Sequence, residues 1–351
     1  MLPVPPRPDR DPPPPPVAAP PAPEAPEPVP APPAPGPVLL EPFVAEADSG
    51  LRLFRLAGVD VHVHFTWFIA ALFVFRDGPM GYSSLAWPLA AYLVGFAVIL
   101  LHEFGHVFAC RWVGGTADRV ILWPLGGLAV VSPPPRPGAQ AVMTLAGPLV
   151  NLVLAPVLIA LAYALAPATE DAPRTDEEMF VTSLAWFNLI VLVFNLLPLF
   201  PLDGGRLLHA LLWRWLGRST GLAVAAAVGV IGGACLCALA LGTGEWWLAL
   251  MAAFLTLSAF GGVRLSGQYA RMERAERRTG WACPNCGAAP PVGEFWRCGR
   301  CFDQFDLFRP DVCPKGGDHA PLQSCPECHY KFASARWVQT PTAPPHSPGA
   351  A

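Results

Sequence analysis

Charge is scarce in this sequence. Only 14% of its 351 residues are charged, where an ordinary soluble domain carries roughly one quarter. With 53% hydrophobic residues, the chain is too apolar for a soluble fold of its length. Basic excess is lacking too: the formal net charge is −3, which argues against a general nucleic-acid binder. The start lacks the basic stretch and apolar run of a cleavable secretory signal and is proline-rich instead. The first membrane span is therefore expected to direct insertion itself. Cysteine is sparse before residue 280. Cys110, Cys235 and Cys237 lie in apolar runs and read as small buried hydrophobes. The other seven follow residue 280, several as Cys-x-x-Cys pairs. That pattern suggests metal binding in a reducing compartment more than a disulfide framework.

The apolar excess falls between Phe65 and Gly262. Crossing a bilayer takes ~20 apolar residues, and the pattern divides into spans near 65–75, 87–113, 139–166, 180–197, 221–241 and 246–263. The first needs flanking residues to reach full length. Arg111, Arg119 and Arg136 lie between spans two and three, and Arg206, Arg214 and Arg218 between four and five. Arg264, Arg271, Arg274, Arg277 and Arg278 follow span six. The positive-inside rule then places both termini in the cytoplasm, with the plasma membrane the expected location. Residues 51–64 alternate weakly and suggest a short surface strand. Residues 119–131, broken by Pro124 and Gly126-Gly127, suggest a re-entrant hairpin lining a cavity. The expected fold class is an all-α polytopic membrane protein with about six transmembrane helices, a small re-entrant β element and a small C-terminal zinc ribbon. The expected domains are a disordered Pro/Ala-rich arm (1–50), a six-helix membrane domain (51–265), a basic linker (266–280), a cytoplasmic ribbon-like domain (281–335) and a disordered tail (336–351).

Inside span two stands His102-Glu-Phe-Gly-His106. Histidines four residues apart share one helix face, and that spacing lets two imidazoles grip one zinc ion. Glu103 beside them is placed to act as general base on a water. A chance match is disfavoured because an ionisable group at mid-bilayer costs ~3 kcal/mol or more and normally marks function. Gly105 leaves room for another backbone to come close. A catalytic zinc usually takes three protein ligands. The strong candidate for the third is Asp203, in Asn195-Leu-Leu-Pro-Leu-Phe-Pro-Leu-Asp-Gly-Gly-Arg206 at the end of span four. Pro198 and Pro201 break the helix there, and Gly204-Gly205 frees the backbone to turn. Arg206 is the alternative partner for that carboxylate. Asn195 has two readings of equal weight: a donor to the developing oxyanion, or a bond to a backbone carbonyl at the proline kink.

These motifs together resemble the site-2 protease family of intramembrane zinc metalloproteases, over about residues 55–265. The resemblance implies that His102, His106 and Asp203 bind a catalytic zinc, that Glu103 activates water, and that Asn195 serves catalysis or substrate handling. It implies a single-span membrane protein as substrate. Gly126-Gly127 and Ala146-Gly-Pro-Leu-Val-Asn151 also fit the family's habits, although Asn151 reads better as a helix-packing residue than a catalytic one. His62 and His64, flanking span one, are better explained by a surface strand than as ligands. The chain has no room between the motifs for the PDZ domain of some members, and a cysteine-rich tail replaces the CBS pair of others. Rival readings are a catalytically silent scaffold working through its ribbon and, less favoured, a zinc transporter.

In the tail, Cys283, Cys286, Cys298 and Cys301 have the spacing of a closed structural zinc site. Cys313, Cys325 and Cys328, with His319 or His329 as a fourth ligand, form an imperfect second set. One catalytic and one or two structural zinc ions are thus expected. The ribbon either only holds a small tail together or also recognises a cytoplasmic regulator.

Overall fold

A computed structural model describes residues 50–75, 81–123, 126–166, 173–284, 286–298, 304–309, 322–328, 331–333 and 337–339. The N-terminal arm and almost all of the 336–351 tail lie outside them. The described chain is a mostly helical, polytopic membrane protein with a small sheet. Its helices are α1 (Thr66–Phe75), α2 (Ala86–Trp112), α3 (Pro137–Leu165), α4 (Asp176–Leu196), α5 (Asp203–Leu216), α6 (Arg218–Thr243) and α7 (Trp246–Arg274). Among the described residues five of these, α2, α3, α4, α6 and α7, are long and apolar enough to cross a membrane. Their outward side chains are those a lipid would meet, such as Leu152, Val153 and Val157 of α3 or Leu250 and Leu257 of α7, all exposed.

The expected first span is short. Helix α1 has 10 residues, ~15 Å at 1.5 Å per residue, half of the ~30 Å hydrocarbon core. It nevertheless packs along α2, where Trp67 meets Tyr92 and Phe96 edge-on and Tyr92 Oη donates to the Trp67 carbonyl. The preceding backbone lies near the other end of α2, since Arg111 donates to the Ala57 carbonyl.

That backbone is a sheet larger than the sequence suggested. Strands β1 (Leu51–Leu56), β2 (Val59–Val63), β3 (Thr116–Trp123) and β4 (Gly126–Ser132) lie in the order β1-β2-β3-β4. A tight turn joins β1 to β2 through Ala57 and Gly58, with φ of 49° and 75°, the left-handed pair that a two-residue hairpin demands. Val59, Val61 and Val63 alternate inward into a cluster with Phe104 and Val107 of α2. Strand β2 runs parallel to β3, and β4 returns antiparallel as the edge. The expected hairpin at 119–131 is thus β3–β4, joined to a hairpin from 51–63 across the sheet.

Local chemistry sets the helix ends. Thr175 caps α4, its Oγ1 accepting from Glu178 N–H, and Asp176, Glu177 and Glu178 face the positive end of the helix dipole. Gly105 lets α2 approach α3, because a Cβ there would stand 2.6 Å from the Ala146 carbonyl oxygen. The role foreseen for Gly204-Gly205 differs: both lie in the first turn of α5 and not in a loop. Their hydrogens make space for the chain before them, with a Cβ at Gly204 2.6 Å from the Leu196 carbonyl carbon and one at Gly205 2.5 Å from Phe200 Cα. Helix α7 continues to Arg274, so most of the 266–280 linker is helix. In the tail, β5 (Trp281–Ala282) pairs with β10 (Val338–Gln339), β6 (Trp296–Arg297) with β7 (Gln304–Phe305), and β8 (Leu322–Ser324) with β9 (Lys331–Ala333). Pairing of β5 with β10 carries the tail domain past residue 335.

Candidate metal centre

One turn of α2 brings His102 and His106 to the same face. Helix α5 opens with Asp203 beside them, about a hundred residues later in the chain. His102 Nε2 lies 3.1 Å and His106 Nε2 3.2 Å from Asp203 Oδ2, and the two ring nitrogens are 3.2 Å apart. All three residues are buried. The carboxylate meets the imidazoles and needs no Arg206.

Each ring is fixed from behind. His102 Nδ1 is 2.6 Å from Asn151 Oδ1, and His106 Nδ1 is 2.9 Å from the Met143 carbonyl oxygen. Both acceptors want an N–H, so the Nδ1 positions carry the protons. The Nε2 lone pairs are left free and point at one spot. Asn151 is itself held by Asn188 of α4: its Nδ2 donates to Asn188 Oδ1 at 2.7 Å, and Asn188 Nδ2 donates to the Asn151 carbonyl at 3.0 Å. Both asparagines are fully buried. Partners of this kind set the tautomer and aim of metal-binding histidines. Asn151 thus packs α3 against α2 through the back of His102, and Asn188, which the sequence did not single out, holds it there. The signal was available, for a lone amide in an apolar span is expensive unless it has a partner there.

Gly147 of α3 completes the pocket wall. A Cβ at that position would overlap the His106 ring and stand 2.8 Å from His102 Nε2. The His/His/Asp set offers one nitrogen, one nitrogen and one oxygen within 4.8 Å of one another, with Nε2 deprotonated on both rings. That donor set fits zinc and leaves a coordination position open.

Glu103 turns from the histidines to the edge strand. Its Oε2 accepts from the Ala129 N–H at 2.9 Å, and a Cβ at Gly127 would lie 2.5 Å from its Oε1. Strand β4 thus clasps the carboxylate by an amide and by the space glycine leaves.

Asn195 Nδ2 donates to the Val191 carbonyl at 3.1 Å, one turn back on α4. His64 Nδ1 is 2.8 Å from Thr66 Oγ1 at the start of α1, and neither it nor His62 joins the cluster. In the tail the expected grouping changes. Among the described residues, Cys283 and Cys286 converge with Cys325 and Cys328. Cys298 is buried in the same tail core, whereas Cys301, Cys313, His319 and His329 lie outside the described residues. Pairs this far apart in sequence are brought into one domain by backbone pairing across the tail, such as that of β5 with β10.

Comparison with known proteins falls on this same architecture. Residues 90–168 and 164–239 match the model of Peptidase family M50, a stretch running from α2 through most of α6. The chain resembles the site-2 protease family. It is 31% identical over 179 residues to a zinc metalloprotease of Methanocaldococcus jannaschii, covering 51% of this chain and 50% of that protein. It is 34% identical over 242 residues to Rip3 of Mycobacterium tuberculosis, covering 60% and 58%. The chain thus spans between half and three-fifths of these relatives. A solved structure titled Site-2 Protease from Methanocaldococcus jannaschii aligns with a TM-score of 0.48 and 26% identity, over 61% of this chain and 95% of that one. The M50 match includes both zinc-site helices, α2 and α5, together with the α3 and α4 asparagines behind them.

Proposed function

We propose that this chain is an intramembrane zinc metalloprotease that hydrolyses peptide bonds of membrane-spanning proteins. One observation carries the reading: two free Nε2 lone pairs and one carboxylate oxygen converge on a single buried point, with a carboxylate on the adjoining residue of the same turn. His102, His106 and Asp203 would hold the zinc. When bound, zinc polarises a carbonyl and makes water a nucleophile at neutral pH. Glu103 Oε1 or Oε2 takes the water's proton and returns it to the leaving nitrogen, its carboxylate steadied by Ala129 N–H. The buried setting keeps bulk water from competing and strengthens each charge interaction.

The substrate we infer is a single-span membrane protein unwound near the cut, because helical carbonyls are already engaged. Strand β4 is the sheet edge beside Glu103, and an extended substrate segment would pair there by strand addition. The arginines at the ends of α2, α5 and α7 favour release toward the cytoplasm, both termini on that side, and the plasma membrane as location. The zinc count we infer is one catalytic ion plus those of the tail.

The test compares reconstituted wild type with Glu103→Gln on a single-span substrate, with zinc content measured in both. Loss of cleavage with zinc retained is the expected result. Equal cleavage by both forms refutes the proposed base, and zinc flux without proteolysis points to transport.

A further inference from the structure

The four tail thiols form a second site with its own geometry. Cys283 Sγ and Cys328 Sγ are 3.8 Å apart, and Cys286 Sγ and Cys325 Sγ are 3.9 Å apart. Four sulfurs each ~2.3 Å from a tetrahedral zinc lie about 3.8 Å from one another, so the observed separations are those of a closed four-thiolate site and too long for disulfides. The backbone at the first pair is shaped to match. Gly287 N–H donates to the Cys283 carbonyl at 2.9 Å and Cys283 N–H to the Ala288 carbonyl at 2.9 Å, with Gly287 at φ 72° closing the turn. Three of the four thiol residues are buried, among Trp296, Phe305 and Trp337.

The second pair carries a further contact. Glu327 sits between Cys325 and Cys328. Its carboxylate meets Arg277 Nη2 at 2.7 Å and Arg218 Nη1 at 3.7 Å. Arg218 begins α6, its guanidinium lying 3.8 Å from the Tyr269 ring centre and 5.3 Å from that of Trp213. Its carbonyl takes His209 Nε2 at 3.3 Å, from α5. The turn that holds two thiols is therefore also the turn that meets the α5–α6 corner of the membrane domain.

We propose that Cys283, Cys286, Cys325 and Cys328 bind one structural zinc ion, which joins the two ends of the tail domain and fixes Glu327 on Arg218 and Arg277. The ion would draw residues 283 and 328 together across a tail whose described core is a small cluster around Trp296, Phe305 and Trp337. Small domains lacking such a core commonly depend on a metal in this way. The site needs neither the His/His/Asp centre nor proteolysis, so its fate is separable from the activity proposed above.

The experiment uses the full-length protein in detergent. Zinc is counted per chain, and thiol alkylation is mapped by mass spectrometry while a zinc chelator is added without reductant. The expected result is that Cys283, Cys286, Cys325 and Cys328 start protected and become reactive together as zinc leaves. In Cys325→Ser, about one zinc per chain is lost. Three results overturn the proposal: protection relieved by reductant and not by chelator, Cys283 and Cys286 opening with Cys298 while Cys325 and Cys328 stay closed, or an unchanged zinc count in Cys325→Ser. The wild-type mapping decides the grouping even where the variant fails to fold.

Discussion

Removing Asn151 separates the two tasks of the buried amide pair. Asn151→Ala deletes the acceptor 2.6 Å from His102 Nδ1 and the donor 2.7 Å from Asn188 Oδ1, while the 3.0 Å bond from Asn188 Nδ2 to the backbone carbonyl of residue 151 remains. Loss of a partner behind a metal-binding histidine typically lowers metal affinity 10–100-fold, about 1.4–2.8 kcal/mol at 1.4 kcal/mol per decade. An orphaned buried polar group costs ~1–3 kcal/mol of stability in addition. The double variant Asn151→Leu/Asn188→Leu removes the amide pair together, which can be nearly neutral for stability, and leaves only the His102 Nδ1–H unpaired. Thermal stability of the metal-free protein is therefore expected to fall in Asn151→Ala and to recover in part in the double variant. Zinc affinity, measured by competition with a chelator, is expected to stay low in both. If zinc affinity in the double variant returned to within threefold of wild type, the amides would be packing groups only and the positioning argument would be wrong.

Glu103→Gln should lower cleavage by ~10²–10⁴-fold with zinc content unchanged, read by a gel assay and metal analysis; parallel loss of zinc would mean that Glu103 is a ligand. Gly127→Ala puts a methyl 2.5 Å from Glu103 Oε1, so turnover should collapse while zinc remains bound, and full activity would show that β4 does not clasp the base. His209 on α5 has its pKa pushed down to about 4, first by burial and then by Arg218, against its bond to the Arg218 carbonyl. The unfolded imidazole titrates near 6.5 and the folded one near 4, so between these values the unfolded state binds more protons and stability rises with pH. Its contribution is complete above about pH 6.5 and is lost as pH falls toward 4, with a slope of up to ~1.4 kcal/mol per pH unit. Melting curves from pH 7 to 5 should show a shallower decline for His209→Gln than for wild type; identical slopes would place the titration elsewhere.

Much of the membrane domain was legible in the sequence because bilayer physics is local. A run such as 139–166 must be a helix, as no water is present to satisfy its backbone, and α3 occupies 137–165. His102, Glu103 and His106 are also a local statement, since helix periodicity alone puts the two rings together. The sequence by itself also singled out Asp203, as a carboxylate following an apolar span too closely for its comfort. What it could not decide was anything that depends on which distant segments meet. That Asn151 and Asn188 form a ladder behind His102 follows from α3 and α4 packing against α2. That Glu103 is clasped by Ala129 requires the hairpin at 51–63 to complete a sheet beside α2. That Cys283 and Cys286 lie beside Cys325 and Cys328 depends on segments far apart in the tail coming together, as β5 does with β10. Chain order limits what can fold first, but burial and backbone pairing choose the neighbours, and those choices are made only in three dimensions.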